Sequence, residues 1–179
     1  MPLRPFAGTT PTLARDVYVD PAATVIGDVS IGEQSSLWPN VVARGDVNSI
    51  VIGARTNVQD ATILHVGSRS AALPEGSPLS IGNDVTIGHR AIVHGCTVGD
   101  CVLIGMGAIV MDGAELGDFT LLGAGSLVPE GKQLDGRALW RGSPARRVRD
   151  LTDAECEMLR HSAHHYAELA ATYRGQEAG

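Results

Sequence analysis

Aliphatic residues recur at every sixth position along much of the chain, most clearly in Val98, Ile104, Val110, Leu116, Leu122 and Val128. A helix repeats near 3.6 residues and a strand at two, so neither element alone gives that period. Gly99, Gly105, Gly117 and Gly123 each follow one of these aliphatics, and a residue free to take unusual dihedrals there lets the chain turn sharply. The same phase runs through Val19, Val25, Ile31 and Leu37, resumes after a slip in Ile52, Val58 and Leu64, and returns in Ile81, Ile87 and Val93. Each phrase is a short strand and a turn with one inward side chain. No such strand buries its aliphatic alone, so successive coils must stack over a shared apolar column. The pattern predicts an all-β solenoid, a parallel β-helix of hexapeptide repeats, over residues 11–149. An antiparallel sandwich would show period-two alternation with turns about every 8–12 residues.

Two segments depart from the sixes. Residues 67–79 (GSRSAALPEGSPL) carry Pro, Gly and Ser without an inward column, which predicts a loop bulging from the coil. Beyond Arg149, Thr152 and Glu155 form a capping box, and Cys156, Leu159, Ala163, Tyr166, Ala170 and Tyr173 recur at alternating three- and four-residue steps. An amphipathic C-terminal α-helix is expected over residues 150–174, packed along the solenoid or a neighbouring subunit.

Composition sharpens this picture. Aromatics make up only 4% of the 179 residues against 22 glycines, so the core must be aliphatic and set among tight turns. A formal charge of −6 with Lys132 as the single lysine argues against a nucleic-acid partner. Arg141, Arg146, Arg147 and Arg149 are read as a solvated or subunit-contacting turn. No run approaches the ~20 apolar residues of a membrane span, and the first residues lack a signal-peptide core, so a cytoplasmic protein is expected. Cys96, Cys101 and Cys156 contain no CxxC pair and are read as reduced, buried thiols.

The histidines carry the candidate chemistry. His65 follows inward Leu64 and His94 follows inward Val93, so the two share a phase and a face. Their inward neighbours are 93 − 64 = 29 residues apart; removing a loop of about eleven leaves one three-sided coil and stacks the imidazoles on rungs roughly 4.8 Å apart. His89 lies two residues after Ile87, in another phase and around a corner. Since zinc needs nitrogens at about 2.0–2.1 Å in tetrahedral directions, His89 is expected to reach the metal of a neighbouring subunit. A lone histidine in such a protein more often decorates a turn; the shared phase of His65 and His94 favours the ligand reading. His161 and His165 lie off the helix's apolar stripe and lack the glutamate of an HExxH motif, and with His164 they are read as solvated.

The segments ARGDVNSIVIG, TNVQDATILH, IGHRAIVHGCTVGD and IGMGAIVMDGAELGD together resemble the gamma-class carbonic anhydrases, especially the short bacterial, ferripyochelin-binding-like members. The likeness runs from about Pro11 to the C-terminal helix. Hexads alone are shared with acyltransferases; the RGD, NVQD and three-histidine set is far more specific. The resemblance implies a left-handed β-helix, a homotrimer, and a zinc ion held by His65 and His94 of one subunit with His89 of the next; imidazole ligands also accept Fe2+ or Co2+. It implies an intersubunit salt bridge for Arg44 and Asp46, and a role for Gln59, flanked by Asn57 and Asp60, in orienting a metal-bound hydroxide. Tyr166 resembles an active-site tyrosine, though it also belongs to the helix's apolar stripe. The implied reaction is hydration of carbon dioxide, a small-molecule substrate, to bicarbonate. The family's glutamates, implied to shuttle protons, are replaced by Val47 and by the Gly67/Ser68 region. Two other readings remain: an acyl-CoA transferase or thioesterase of the hexapeptide class, and a non-catalytic trimeric module fastened by metal.

Overall fold

A computed structural model describes residues 2–177. The period of six becomes a parallel β-helix of two- and three-residue strands. Thr86–Ile87, Ile92–His94 and Thr97–Val98 make three sides of one coil, and Leu103–Ile104, Ile109–Val110 and Glu115–Leu116 make the next. Ile87 lies opposite Ile104, Val93 opposite Val110 and Val98 opposite Leu116, so inward aliphatics stack directly over one another. This column is buried from Val25 to Leu134. Val19, at the first coil, is only partly covered.

The coils turn by a rule that the glycine pattern misstates. The third residue after an inward aliphatic takes the left-handed conformation, whether it is Gly107 and Gly125 or Arg55, Asp84, Arg90, Cys101 and Phe119. Gly99, Gly105, Gly117 and Gly123 do not adopt positive φ. They are glycines because the next coil is too close: a Cβ on Gly105 would fall 2.4 Å from the Ala124 amide nitrogen, and one on Gly117 would fall 2.7 Å from the Gly136 nitrogen.

The slip between Leu37 and Ile52 is a bulge. Strand Val42–Ile52 runs beside Thr24–Ile31, with Gly27 opposite Gly45 but Val29 opposite Ile50, so residues 46–49 are extruded from the ladder. Pairing also starts ahead of residue 11, because Leu3–Arg4 adds to Thr24–Ile31, as Thr12–Leu13 does further along the same strand. The predicted loop is closed by an antiparallel bridge between Gly67 and Ser77. Its expected end at residue 79 is corrected: Leu79 belongs to strand Leu79–Ile81, is buried and faces Ile50.

The last coil ends in an antiparallel pair, Ala138–Arg141 with Arg146–Asp150. That strand displaces the helix start from 150, and the helix runs Asp153–Glu177. Two of the clustered arginines are paired, Arg147 with Asp150 and Arg149 with Glu155. Tyr18, Trp38, Tyr166 and Tyr173 form a ring cluster that fastens the helix to the first coils, with centroids 5.1–5.7 Å apart. Cys96, Cys101 and Cys156 are free and buried.

At the helix start the Glu155 amide donates to Thr152 Oγ1 at 3.2 Å, and the Thr152 amide donates to Glu155 Oε2 at 2.9 Å. The Arg149 guanidinium and the Thr152 amide hold the Glu155 carboxyl down at about 2. A carboxylate depressed in the folded state stabilises fully above its unfolded value and loses that contribution as pH falls toward its folded one. Thr152→Ala is therefore expected to cost about 1 kcal/mol, lowering Tm by about 2–4 °C at neutral pH. The deficit should shrink below pH 4.5, as calorimetry across that range would show.

Candidate metal centre

Strands Ile63–His65 and Ile92–His94 are neighbours in the larger sheet, with His94 directly opposite His65. The ring centroids are 5.0 Å apart, and His65 Nδ1 lies 3.0 Å from His94 Nε2. Each ring's other nitrogen meets a carboxylate: His65 Nε2 lies 3.2 Å from Asp46 Oδ1, and His94 Nδ1 contacts Asp112 Oδ1. A ring nitrogen facing a carboxylate carries the proton. His65 Nδ1 and His94 Nε2 are then two lone pairs turned toward each other.

Burial is the main cause that pushes the His65 pKa down, helped by the Arg44 and His94 charges and opposed by Asp46, so the ring is neutral at pH 7. Burial pushes the Asp46 carboxyl up, but hydrogen bonds from Arg44 and His65 outweigh it and hold the group below the usual carboxylate range. The bulge at residues 46–49 is what brings Asp46 beside His65. The inner nitrogens are close to the roughly 3.3 Å separating two nitrogens on a tetrahedral zinc, and carboxylates behind metal-bound imidazoles are the usual supporting shell. The donor set therefore fits zinc, and by ligand type iron or cobalt.

A third ligand does not join them. Among the described residues no group of three or more His, Cys, Asp or Glu side chains is placed to hold an ion. His89 follows a strand of the smaller sheet. Its Nδ1 lies 2.9 Å from Asp60 Oδ2, which leaves Nε2 as its free donor atom, and the side chain is 44% exposed. His89 lines an open, largely apolar cleft of about 360 Å³ with Gln59, Thr86, Met106 and Ser162.

Gln59 is buried and its Nε2 donates to Asn57 Oδ1 at 3.2 Å; Asn57 Nδ2 donates to Thr86 Oγ1 at 2.9 Å, and Thr86 meets Ser162 of the helix at 3.1 Å. This chain of amides and hydroxyls fixes Gln59 beside His89. Tyr166 is half-buried, packed edge-on to Trp38 with centroids 5.7 Å apart; burial first and the Asp60 charge second raise its pKa, so it stays a phenol. Arg44 and Asp46, expected to bridge subunits, are paired with each other within one chain. His161, His164 and His165 are exposed on the helix. Asp112 escaped the sequence reading, because an aspartate before Gly113 in a hexad turn carries no signal beyond turn chemistry.

No family model matches the chain. Protein YrdA of Escherichia coli K12 is 48% identical over 174 residues, spanning 97% of this chain and 95% of that protein. The carbonic anhydrase of Geobacillus kaustophilus is 42% identical over 170 residues, spanning 95% and 90%. The mitochondrial gamma carbonic anhydrase 2 of Arabidopsis thaliana is 41% identical over 169 residues, spanning 94% of this chain and 60% of the plant protein. A solved structure of a putative acetyltransferase from Bacillus cereus superposes with TM-score 0.91 at 39% identity, covering 97% of both chains. Coils of six, left-handed corners and stacked imidazoles define a hexapeptide-repeat β-helix protein. Within that class, the chain belongs to the gamma-class carbonic anhydrase family.

Proposed function

We propose that the protein hydrates carbon dioxide to bicarbonate at a metal centre shared between copies of a homotrimer, with His65 and His94 from one copy and His89 from the next. The observation that carries this reading is the pair of imidazole nitrogens 3.0 Å apart on adjacent rungs, His65 Nδ1 and His94 Nε2. A shared site is supported by the His89 side chain, 44% exposed with its Nδ1 taken by Asp60, and by an aliphatic ladder beside the pair. Ile63, Ile92 and Ile109 lie in register on that face, 37%, 40% and 37% exposed, and Met106 is 58% exposed nearby in the chain. Such a patch fits coverage by a second copy.

Held by His65, His94 and a neighbour's His89, a divalent metal would supply a Lewis acid able to bring the deprotonation of water near neutral pH. Gln59, its amide nitrogen committed to Asn57, keeps Oε1 as the acceptor that orients the attacking water. Asp60 holds the proton on His89 Nδ1 and so keeps Nε2 free for a ligand. Tyr166, protonated, serves as a donor. With Val47 and the Gly67/Ser68 region where the family has glutamates, the released proton passes to buffer.

Stopped-flow assay of zinc-loaded and metal-stripped protein tests this reading: turnover is expected only in the loaded sample, and equal rates in both would reject it. A second reading, acyl transfer or thioester cleavage, is favoured by the apolar cleft beside His89 and by the likeness to the putative acetyltransferase of Bacillus cereus. Thioester turnover that survives metal removal and His65→Ala would establish it instead.

A further inference from the structure

We infer that Asp112 is a positioning residue that keeps His94 in its Nδ1–H form and so turns the Nε2 lone pair toward the shared ion. The inference rests on the metal reading above and adds a residue to it. The contact that carries it is the hydrogen bond between His94 Nδ1 and Asp112 Oδ1. Which nitrogen of an imidazole binds a metal is set by the bond the other makes, and a carboxylate there raises ligand basicity.

The local backbone is built to admit this carboxylate. Val93 lies opposite Val110, and the Gly113 amide donates to the Gly95 carbonyl at 2.7 Å, so the turn carrying Asp112 stacks on the turn that follows His94. A Cβ on Gly95 would fall 2.6 Å from Ser77 Cβ and 2.7 Å from Asp112 Oδ1, and one on Gly67 would fall 2.9 Å from Ser77 Cβ and 3.3 Å from Asp112 Oδ2, so both Ser77 and Asp112 use the space. Two coils in succession lack side chains where the Asp112 carboxylate sits.

Asp60, in the same phase of its coil, likewise holds the Nδ1 of His89, whereas Asp100 and Asp118 do not face a histidine. Asp100 Oδ1 accepts from the Asn83 amide at 2.7 Å, and Asp118 Oδ1 accepts from the Asp100 amide at 2.8 Å. These carboxylates tie one coil to the next. Among the described residues the Asp112 carboxylate hydrogen-bonds to His94 alone. An aspartate serving only the turn would take a backbone amide, as Asp100 and Asp118 do. Asp112 and His94 share the wall of an open cleft of about 300 Å³ with Ile92, Ile109 and Glu130.

Two readouts test the role. In metal-free protein labelled with 15N-histidine, long-range proton–nitrogen correlation should find His94 protonated at Nδ1, moving toward Nε2–H in Asp112→Ala. In competition with a chromophoric chelator, Asp112→Ala should bind zinc roughly 10–100-fold more weakly, while Asp112→Asn, whose amide oxygen still accepts from Nδ1–H, recovers most of the loss. An Nε2–H tautomer in the wild type overturns the inference without recourse to any variant. A wild type that binds zinc, with an Asp112→Ala variant equal to it in tautomer and affinity, overturns the role of Asp112 and leaves the metal site standing. A wild type that binds neither zinc nor cobalt overturns the metal reading, and the inference with it.

Discussion

His89→Ala and His94→Ala, each inactive alone, are expected to recover roughly a quarter of the wild-type carbon dioxide hydration rate when co-assembled in equal amounts. The reason is the separation of the ligands within one chain. His65 and His94 face each other on adjacent rungs, whereas His89 follows a strand of the other sheet and holds Asp60 with its inner nitrogen. In the His89→Ala chain the stacked pair is intact; in the His94→Ala chain the donor for a neighbour is intact. Random three-fold mixing sets the two in the order that completes a site, the His89→Ala chain giving the pair and the His94→Ala chain giving His89, at about one interface of four. Stopped-flow rates on co-expressed, doubly tagged assemblies provide the measurement. Full activity of His89→Ala alone would remove it from the site, and failure to complement in well-formed mixed trimers would mean that the centre is not shared.

Gly53→Ala is expected to damage the scaffold despite adding a single methyl group. Gly32, Gly53 and Gly82 stack at one corner of successive coils. A Cβ on Gly32 would fall 2.5 Å from the Gly53 carbonyl carbon, and one on Gly53 would fall 2.5 Å from both the carbonyl carbon and oxygen of Gly82. The obstructing atoms are backbone within paired coils, so relief requires the rungs themselves to separate. Overpacking of this kind costs about 3 kcal/mol, a fall in Tm of about 10 °C. Gly125→Ala supplies the contrast: its φ is +65° but nothing lies within 4 Å of the added methyl, so only the dihedral penalty of about 1 kcal/mol applies. Calorimetry of the two variants separates close approach from backbone conformation; equal melting temperatures would contradict the steric explanation.

That contrast also marks where the sequence was readable. The inward column was legible because one aliphatic per six residues is a pattern that only stacked coils satisfy. The facing of His65 and His94 followed from it, since both sit one residue after an inward position. The purpose of Gly99 and Gly105 was not legible: a glycine that avoids a clash and one that permits a left-handed turn are the same letter, and the clash exists only once the next coil is in place. The left-handed corners themselves are hidden because Arg55, Cys101 and Phe119 occupy them as well as glycines do. Leu79 closes a stretch rich in Pro, Gly and Ser and so reads as loop; its burial depends on Ile50, a partner far away in the chain. Leu3–Arg4 and Thr12–Leu13 are too short for any periodicity and pair only because Thr24–Ile31 offers an edge.

The same limit governs the site. Asp46 entered through the RGD resemblance, but its contact with His65 depends on the bulge at residues 46–49, which no spacing reveals. Asp60 was grouped with Gln59 by motif, whereas its partner is the His89 ring. Asp112 lies on a different coil from either histidine and is brought in by the stacking of turns over Gly95. Supporting groups that arrive from neighbouring rungs are products of register, and register is a property of the folded coil. Among the described residues no helix is long and apolar enough to cross a membrane.

Anomalous scattering recorded at the zinc edge from crystals of the zinc-loaded assembly bears most directly on the shared centre. One peak should stand between the paired imidazoles of each copy, with the His89 ring of an adjoining copy completing its ligands. Density for zinc only at other positions, or a His89 ring turned away from every such peak, would refute it.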